Sequence, residues 1–181
     1  MEVRPEIQIR AMIKAMVDVV LPAVDPEQKM AQEQARLVIG TLGLIASRLP
    51  VAYRFDRDQL DRYVSLSREL VALDKADEGG GQAISKLESL AERGTDVLSR
   101  ARAEPSELES TVFELRAEVS SLLQSLHKSS SPEKWNKVNR LILDASKMEI
   151  DRERALVVAM GFEPKPGSIP PIESLLPQVN A

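Results

Sequence analysis

The sequence predicts an all-α protein, an up-down bundle of about six helices joined as three antiparallel hairpins, with an extended proline-rich tail. Three observations carry that prediction. Apolar residues recur at three- and four-residue steps over most of the chain and nowhere in the strict alternation of a half-buried strand. The breaks in that pattern fall at Pro22, Pro50, the glycines 79–81, Pro105 and Pro132. Aromatic residues are only 3 % of the chain, so aliphatic side chains must fill the core, as they do between packed helices.

The first helix is expected to open at Pro5, since proline suits the first turn, to present Ile9, Met12, Ile13, Met16, Val17 and Val20, and to stop at Pro22. Asp25-Pro26-Glu27-Gln28 then reads as a cap, a first-turn proline and a capping-box glutamine. The second helix runs from there to Leu49 and contains the most apolar stretch of the protein, ARLVIGTLGLIASRL. From Leu37 to Ala46 only Thr41 asks for a hydrogen bond, so the helix is expected to be buried on all sides at the centre of the bundle. Charges at Arg36 and Arg48 flank a run about half as long as a bilayer requires, which argues against a membrane span. Gly40 and Gly43 within it mark either a close approach of neighbouring helices or the wall of a ligand cavity.

Residues 50–55 are expected to be a connector, with Asp56 capping a third helix at 57–77 that buries Leu60, Tyr63, Val64, Ser67, Leu70, Val71 and Asp74 or its neighbours. After the glycines, a fourth helix at 82–103 presents Ile84, Leu87, Ala91, Gly94, Leu98 and Ala101; half of these are small, so a partner must come close. Ser106 and Glu109 have capping-box spacing at the head of a fifth helix. That helix carries Leu108, Val112, Leu115, Val119, Leu122 and Leu126, a heptad seam with Phe113 and Leu123 beside it. After a loop at 127–131, Ser131 and Pro132 open a sixth helix that runs to Met160 and is closed by Gly161. Its stripe includes Trp135, Val138, Leu141, Ile142, Ala145, Met148, Arg152, Ala155 and Ala159. Arg152 on that stripe must either snorkel to the bundle edge or meet a carboxylate. The chain thus divides into a helical domain at 1–160 and a tail at 161–181. The tail holds five of the eleven prolines, yet Phe162, Ile169, Ile172, Leu175, Leu176 and Val179 are too apolar for a solvated linker. It is expected to lie extended over its own bundle or a neighbour's.

Composition narrows the function. A net charge of −4 and the absence of a wide basic surface speak against nucleic acid and an anionic membrane. There is no cysteine, hence no disulfide and no thiol chemistry, and no metal or cofactor is expected. An N-terminal segment interrupted by Glu6, Lys14 and Asp18 is unlike a signal peptide, so a cytoplasmic protein is expected. The one histidine, His127, sits where an imidazolium would favour a helix C-terminus. Glu114 with Glu118, and Asp144 with Asp151, lie among basic neighbours and read as solvated faces. Asp77-Glu78-Gly79-Gly80-Gly81 follows a helix and lacks the Gly-Lys-Ser/Thr of a phosphate loop.

One stretch stands out. Residues 48–63 gather both tyrosines, Phe55 and the arginines 48, 54, 57 and 62. Tyr53, Arg54, Arg57 and Tyr63, with Gly40 and Gly43, are the candidate binding residues for a small anionic ligand. Alternatively Tyr53 and Phe55 plug the bundle's end while Arg54 and Arg57 pair with Asp56, Asp58 and Asp61. The functional expectation is a non-catalytic interaction or assembly module, a homodimer with a possible further protein partner. The alternative is an anion-binding bundle or an accessory subunit of an enzyme with its pocket near residues 40–63. The dimer is expected on the fifth and sixth helices or by exchange of the tail, because their apolar surface exceeds what one partner covers.

Overall fold

The structure, a computed structural model, describes residues 4–75, 81–100, 102–158, 161 and 163–177. It is all-helical, with no strand among the described residues. The chain forms two compact units, Met1–Ala52 with Arg152–Leu175, and Tyr53–Asp151 with Leu176–Ala181.

In the first unit, α1 spans Pro5–Ala15 with Pro5 at its first turn, then continues through a π-turn at Met16–Val20 into Leu21–Ala23. The stop expected at Pro22 falls one residue later, at Ala23. Proline lacks an N–H and crowds the carbonyl four residues back. The widened turn, closed from the Leu21 N–H to the Met16 carbonyl, lets the helix run one residue past it. The Asp25 capping box is also absent. Asp25 Oδ1 instead accepts from the Glu27 N–H at 2.9 Å in a local turn, and α2 begins later, at Lys29–Arg48. Gln32 closes the connection by donating to the Val24 carbonyl at 2.7 Å.

Helices α1 and α2 pack on each other, and their covered side holds Ile9, Ala35 and the half-buried Ile13, Met16, Ile39, Leu42 and Ala46. The expectation that α2 is buried all round is overturned. Only Ala35 and Leu44 are buried, whereas Met30 is 75 % exposed, Leu37 52 %, Val38 44 % and Ile45 43 %. A helix apolar on every face needs neighbours on every face, and within this unit it does not have them.

The rest of this unit comes from the other end of the chain. Arg152 is 2 % exposed and engaged, so it does not snorkel. Arg154 donates through both Nε and Nη2 to the Glu163 carboxylate, holding that carboxyl below its usual range. Gly161 has φ +78°, the left-handed conformation expected where a helix has ended. The tail is not wholly irregular: a 3-10 turn at Pro166–Ser168 precedes a one-turn helix, Ile172–Leu175, and Ile172 is buried. The expectations placed on Ala101, Ala159, Met160, Phe162, Val179 and the 77–80 loop lie outside the described residues.

The second unit holds α3 (Ala52–Lys75, nearly all of it in this unit), α4 (Gln82–Ser99), α5 (Pro105–Ser129) and the Pro132–Asp151 part of α6 (Pro132–Val157). Side-chain pairs show each neighbouring couple to be antiparallel. Lys75–Glu88 and Arg68–Thr95 join α3 to α4, Lys86–Glu118 and Arg93–Glu114 join α4 to α5, and Gln59–Glu149 and Lys134–Asp74 join α3 to α6. The core between them is dense: Leu60, Leu70, Leu87, Leu108, Leu115 and Val138 are 0 % exposed. All six seam residues of α5 are buried, as their spacing requires, and so are Leu60, Val64, Ser67, Leu70, Val71 and Asp74 of α3.

Two caps read from the sequence do not form. α3 opens at Ala52, so residues 50–55 are mostly helix and Asp56 lies inside it. α5 opens on Pro105 with Glu104 before it, which places Ser106 within the first turn. The Ser131 cap does form, its Oγ accepting from the Lys134 N–H at 3.3 Å.

Candidate functional site

Three of the four arginines of residues 48–63 donate to backbone carbonyls elsewhere in the chain. Arg57 Nη2 donates to the Leu98 carbonyl at 2.6 Å, in the last turn of α4, where carbonyls lack helical partners. Arg54 Nη2 donates to the Pro177 carbonyl at 2.9 Å, tying the end of the described chain to α3. Arg48 Nε donates to the Leu156 carbonyl at 3.3 Å, in the last turn of α6. A guanidinium suits this position, because it offers several donors and a charge that the negative helix end attracts. Tyr53 is 39 % exposed, its hydroxyl donating at 3.4 Å to the Ala103 carbonyl with the Arg57 guanidinium 5.9 Å from its ring. Asp58 pairs at 2.9 Å with Arg62, an arginine not assigned to it from the sequence, and Arg62 also reaches Met148 Sδ.

Tyr63 belongs to a separate network. Its hydroxyl donates to Glu149 Oε2 at 2.9 Å and accepts from Arg116 Nε at 2.9 Å. The Arg116 guanidinium lies 5.0 Å from the ring and also binds Glu149, to which Gln59 donates at 3.2 Å. Burial pushes the Tyr63 phenol above its ordinary value, and the Glu149 carboxylate adds to this. Burial likewise raises the Asp56 carboxyl, with the Glu109 charge contributing. Arg116 and Glu149 escaped the sequence reading; only the four-residue step between Gln59 and Tyr63 hinted at a shared polar face. Each polar group in the network meets another, which suits a strut joining α3, α5 and α6.

Gly40 and Gly43 are open: a methyl group built on either meets nothing within 4 Å. The close-approach reading of these two glycines is therefore overturned. Close approach happens at Gly94, where such a methyl would sit 2.6 Å from Val64 Cγ2. His127 lies in the last turn of α5 with its ring centroid 4.8 Å from that of Trp135. Glu114 pairs with Arg93, and the buried Glu118 with Lys86. Among the described residues no group of three or more histidine, aspartate or glutamate side chains is arranged to hold a metal. Among the described residues no single helix is long and apolar enough to cross a membrane.

The surface feature with most chemical character is the outer face of α2. Met30, Leu37, Val38 and Ile45 are exposed there, with Gln34 and Thr41 between them. Successive residues turn by about 100°, which places all six in one stripe roughly 100° wide. Ile7, Met12, Val17, Val19 and Val20 add exposed apolar surface on the α1 segment of the same unit. Sequence reasoning assigned Leu37, Val38, Thr41 and Ile45 to a core and passed over Met30; the signal that separates these residues is the clustering of Gln34 and Thr41 with them on one side. No family model matches this chain, and neither a curated protein nor a solved structure matches it.

Proposed function

We propose that this chain is a non-catalytic interaction or assembly module that docks another protein surface on the outer face of α2. One observation carries the reading: the longest uncharged helical run of the chain, Leu37–Ser47, leaves three of its six large side chains, Leu37, Val38 and Ile45, exposed, while the second unit closes its own core. Apolar stripes of this kind on a folded protein are characteristic of surfaces that other surfaces cover. The polar groups of residues 48–63 support the same reading, since Arg48, Arg54 and Arg57 are engaged by carbonyls of the chain itself.

The test is photo-cross-linking from the face itself. A photoreactive amino acid replacing Val38 should yield protein adducts on irradiation in the expressing cell, with a second copy or another protein, whereas the same group replacing the exposed Glu92 should not. Equal, background labelling from both positions overturns the proposal. So does a melting-temperature screen in which an anionic metabolite stabilises the parent but not the Arg54→Ala/Arg57→Ala variant, because the arginines would then belong to a ligand site.

A further inference from the structure

We propose that the occupant of this face is α2 of a second copy, laid antiparallel across a two-fold axis that passes between Leu37 and Val38. The proposal rests on reading the α2 face as a docking surface and adds the partner and the register.

The first support is spacing. Met30, Gln34, Leu37 and Thr41 follow one another at steps of four, three and four, the knob spacing of two helices that pack along their length. The partner should therefore be helical. The second support is self-complementarity. With the axis between Leu37 and Val38, antiparallel register sets residue i against residue 75 − i, so Gln34 meets Thr41 and Met30 meets Ile45. Leu37 and Val38 then gather at the axis with their own copies. Apolar side chains face apolar ones, and the two polar residues face each other, the Gln34 amide donating to the Thr41 hydroxyl. In lipid those two side chains would have no such partner, which disfavours a membrane as the occupant.

The third support is charge. A two-fold axis brings every nearby residue close to its own copy, so a charge at the centre would meet its like. The stripe has none between Met30 and Ile45; Glu33 and Arg36 fall outside it.

The absence of native cysteine makes the register directly testable in the full chain. Gln34→Cys and Thr41→Cys variants, mixed and oxidised, should form a disulfide-linked dimer several-fold more abundantly than either variant alone. Sedimentation should show the parent to be a dimer. Leu37→Glu should weaken that dimer by about a hundredfold while leaving the monomer's helical signal and melting intact, since Leu37 is already exposed. Self-linking of each single variant as efficient as that of the mixture overturns the antiparallel register. A dimer indifferent to Leu37→Glu overturns the α2 pairing, and the cross-linking from position 38 then decides the broader docking reading separately. A parent chain that stays monomeric at tens of micromolar overturns the self-pairing; protein adducts at position 38 in that case identify a different partner and leave the docking reading standing.

Discussion

Helices α2 and α5 make an instructive pair. α2 has the longer uncharged run, from Leu37 to Ser47, whereas α5 is punctuated by glutamates and serines throughout. Yet α5 is the better buried: Leu108 and Leu115 are 0 % exposed, while Leu37 and Val38 of α2 are 52 % and 44 % exposed. The length of the apolar run did not decide the outcome. What decided it is that α5 concentrates its apolar residues on one seam that α3, α4 and α6 can cover, and marks its other faces polar. α2 spreads its large apolar residues over more of its circumference, so its packing on α1 leaves Met30, Leu37, Val38 and Ile45 over.

The largest expected effect tests that contrast directly. Leu115→Ala should cost about 2–5 kcal/mol in urea unfolding, the usual range for truncation in a closed core. Leu37→Ala should stay within about 0.5 kcal/mol under conditions where the chain is monomeric. Equal costs would mean that α2 is as central as α5. Glycines sharpen the comparison next. Gly94→Ala should cost about 1–3 kcal/mol, because the new methyl presses on the stiff, branched Val64 side chain. Gly40→Ala and Gly43→Ala should each gain roughly 0.5–1 kcal/mol, because nothing occupies the space and alanine favours helix. Thermal melts of the three variants check both signs.

How legible the fold was follows the same division. The α5 seam and the buried set of α3 could be read from spacing because each has one face to cover. The faces of α2 were harder to read, because large apolar residues lie on several sides of it and only the clustering of Gln34 and Thr41 marks the open one. Capping chemistry was the other weak point. The Ser131 cap formed as read, but the boxes at Asp25 and Ser106 and the cap at Asp56 lost to helix starts elsewhere, set in α5 by Pro105 and in α3 by the helix opening at Ala52. The concentration of Arg and Tyr at 48–63 was visible; its engagement of distant carbonyls was not, since helix ends that meet in space are separated in sequence by 41 residues for Arg57 and 123 for Arg54.

That engagement predicts the intermediate effect. Arg57→Ala removes a charged donor from an α4 terminal carbonyl and should lower stability by about 1–2 kcal/mol. A variant with unchanged melting would make the guanidinium a candidate ligand contact again. The smallest expected effect concerns pH. The Tyr63 phenol titrates above its ordinary value of 10.0 when folded, so the neutral form is the one the fold favours. Its contribution is complete below pH 10 and is lost as pH rises through the raised value. Stability of the parent should therefore fall more steeply above pH 10 than that of Tyr63→Phe, in denaturant titrations across that range. Parallel slopes would place the phenol in water.

The division of the chain bears on how it is synthesised. The first unit is made from both ends of the described chain, with most of the second unit, Tyr53–Asp151, translated between its two parts. Residues up to Ala52 leave the ribosome about a hundred residues ahead of Arg152. At about 5–20 residues per second that is a delay of roughly 5–20 s. Throughout that interval the α1–α2 hairpin waits without the segment that later supplies Ala155 and Ile172, its apolar side chains open to any nearby nascent chain or chaperone. The second unit is made as one nearly continuous stretch and has its four helices to hand by Asp151.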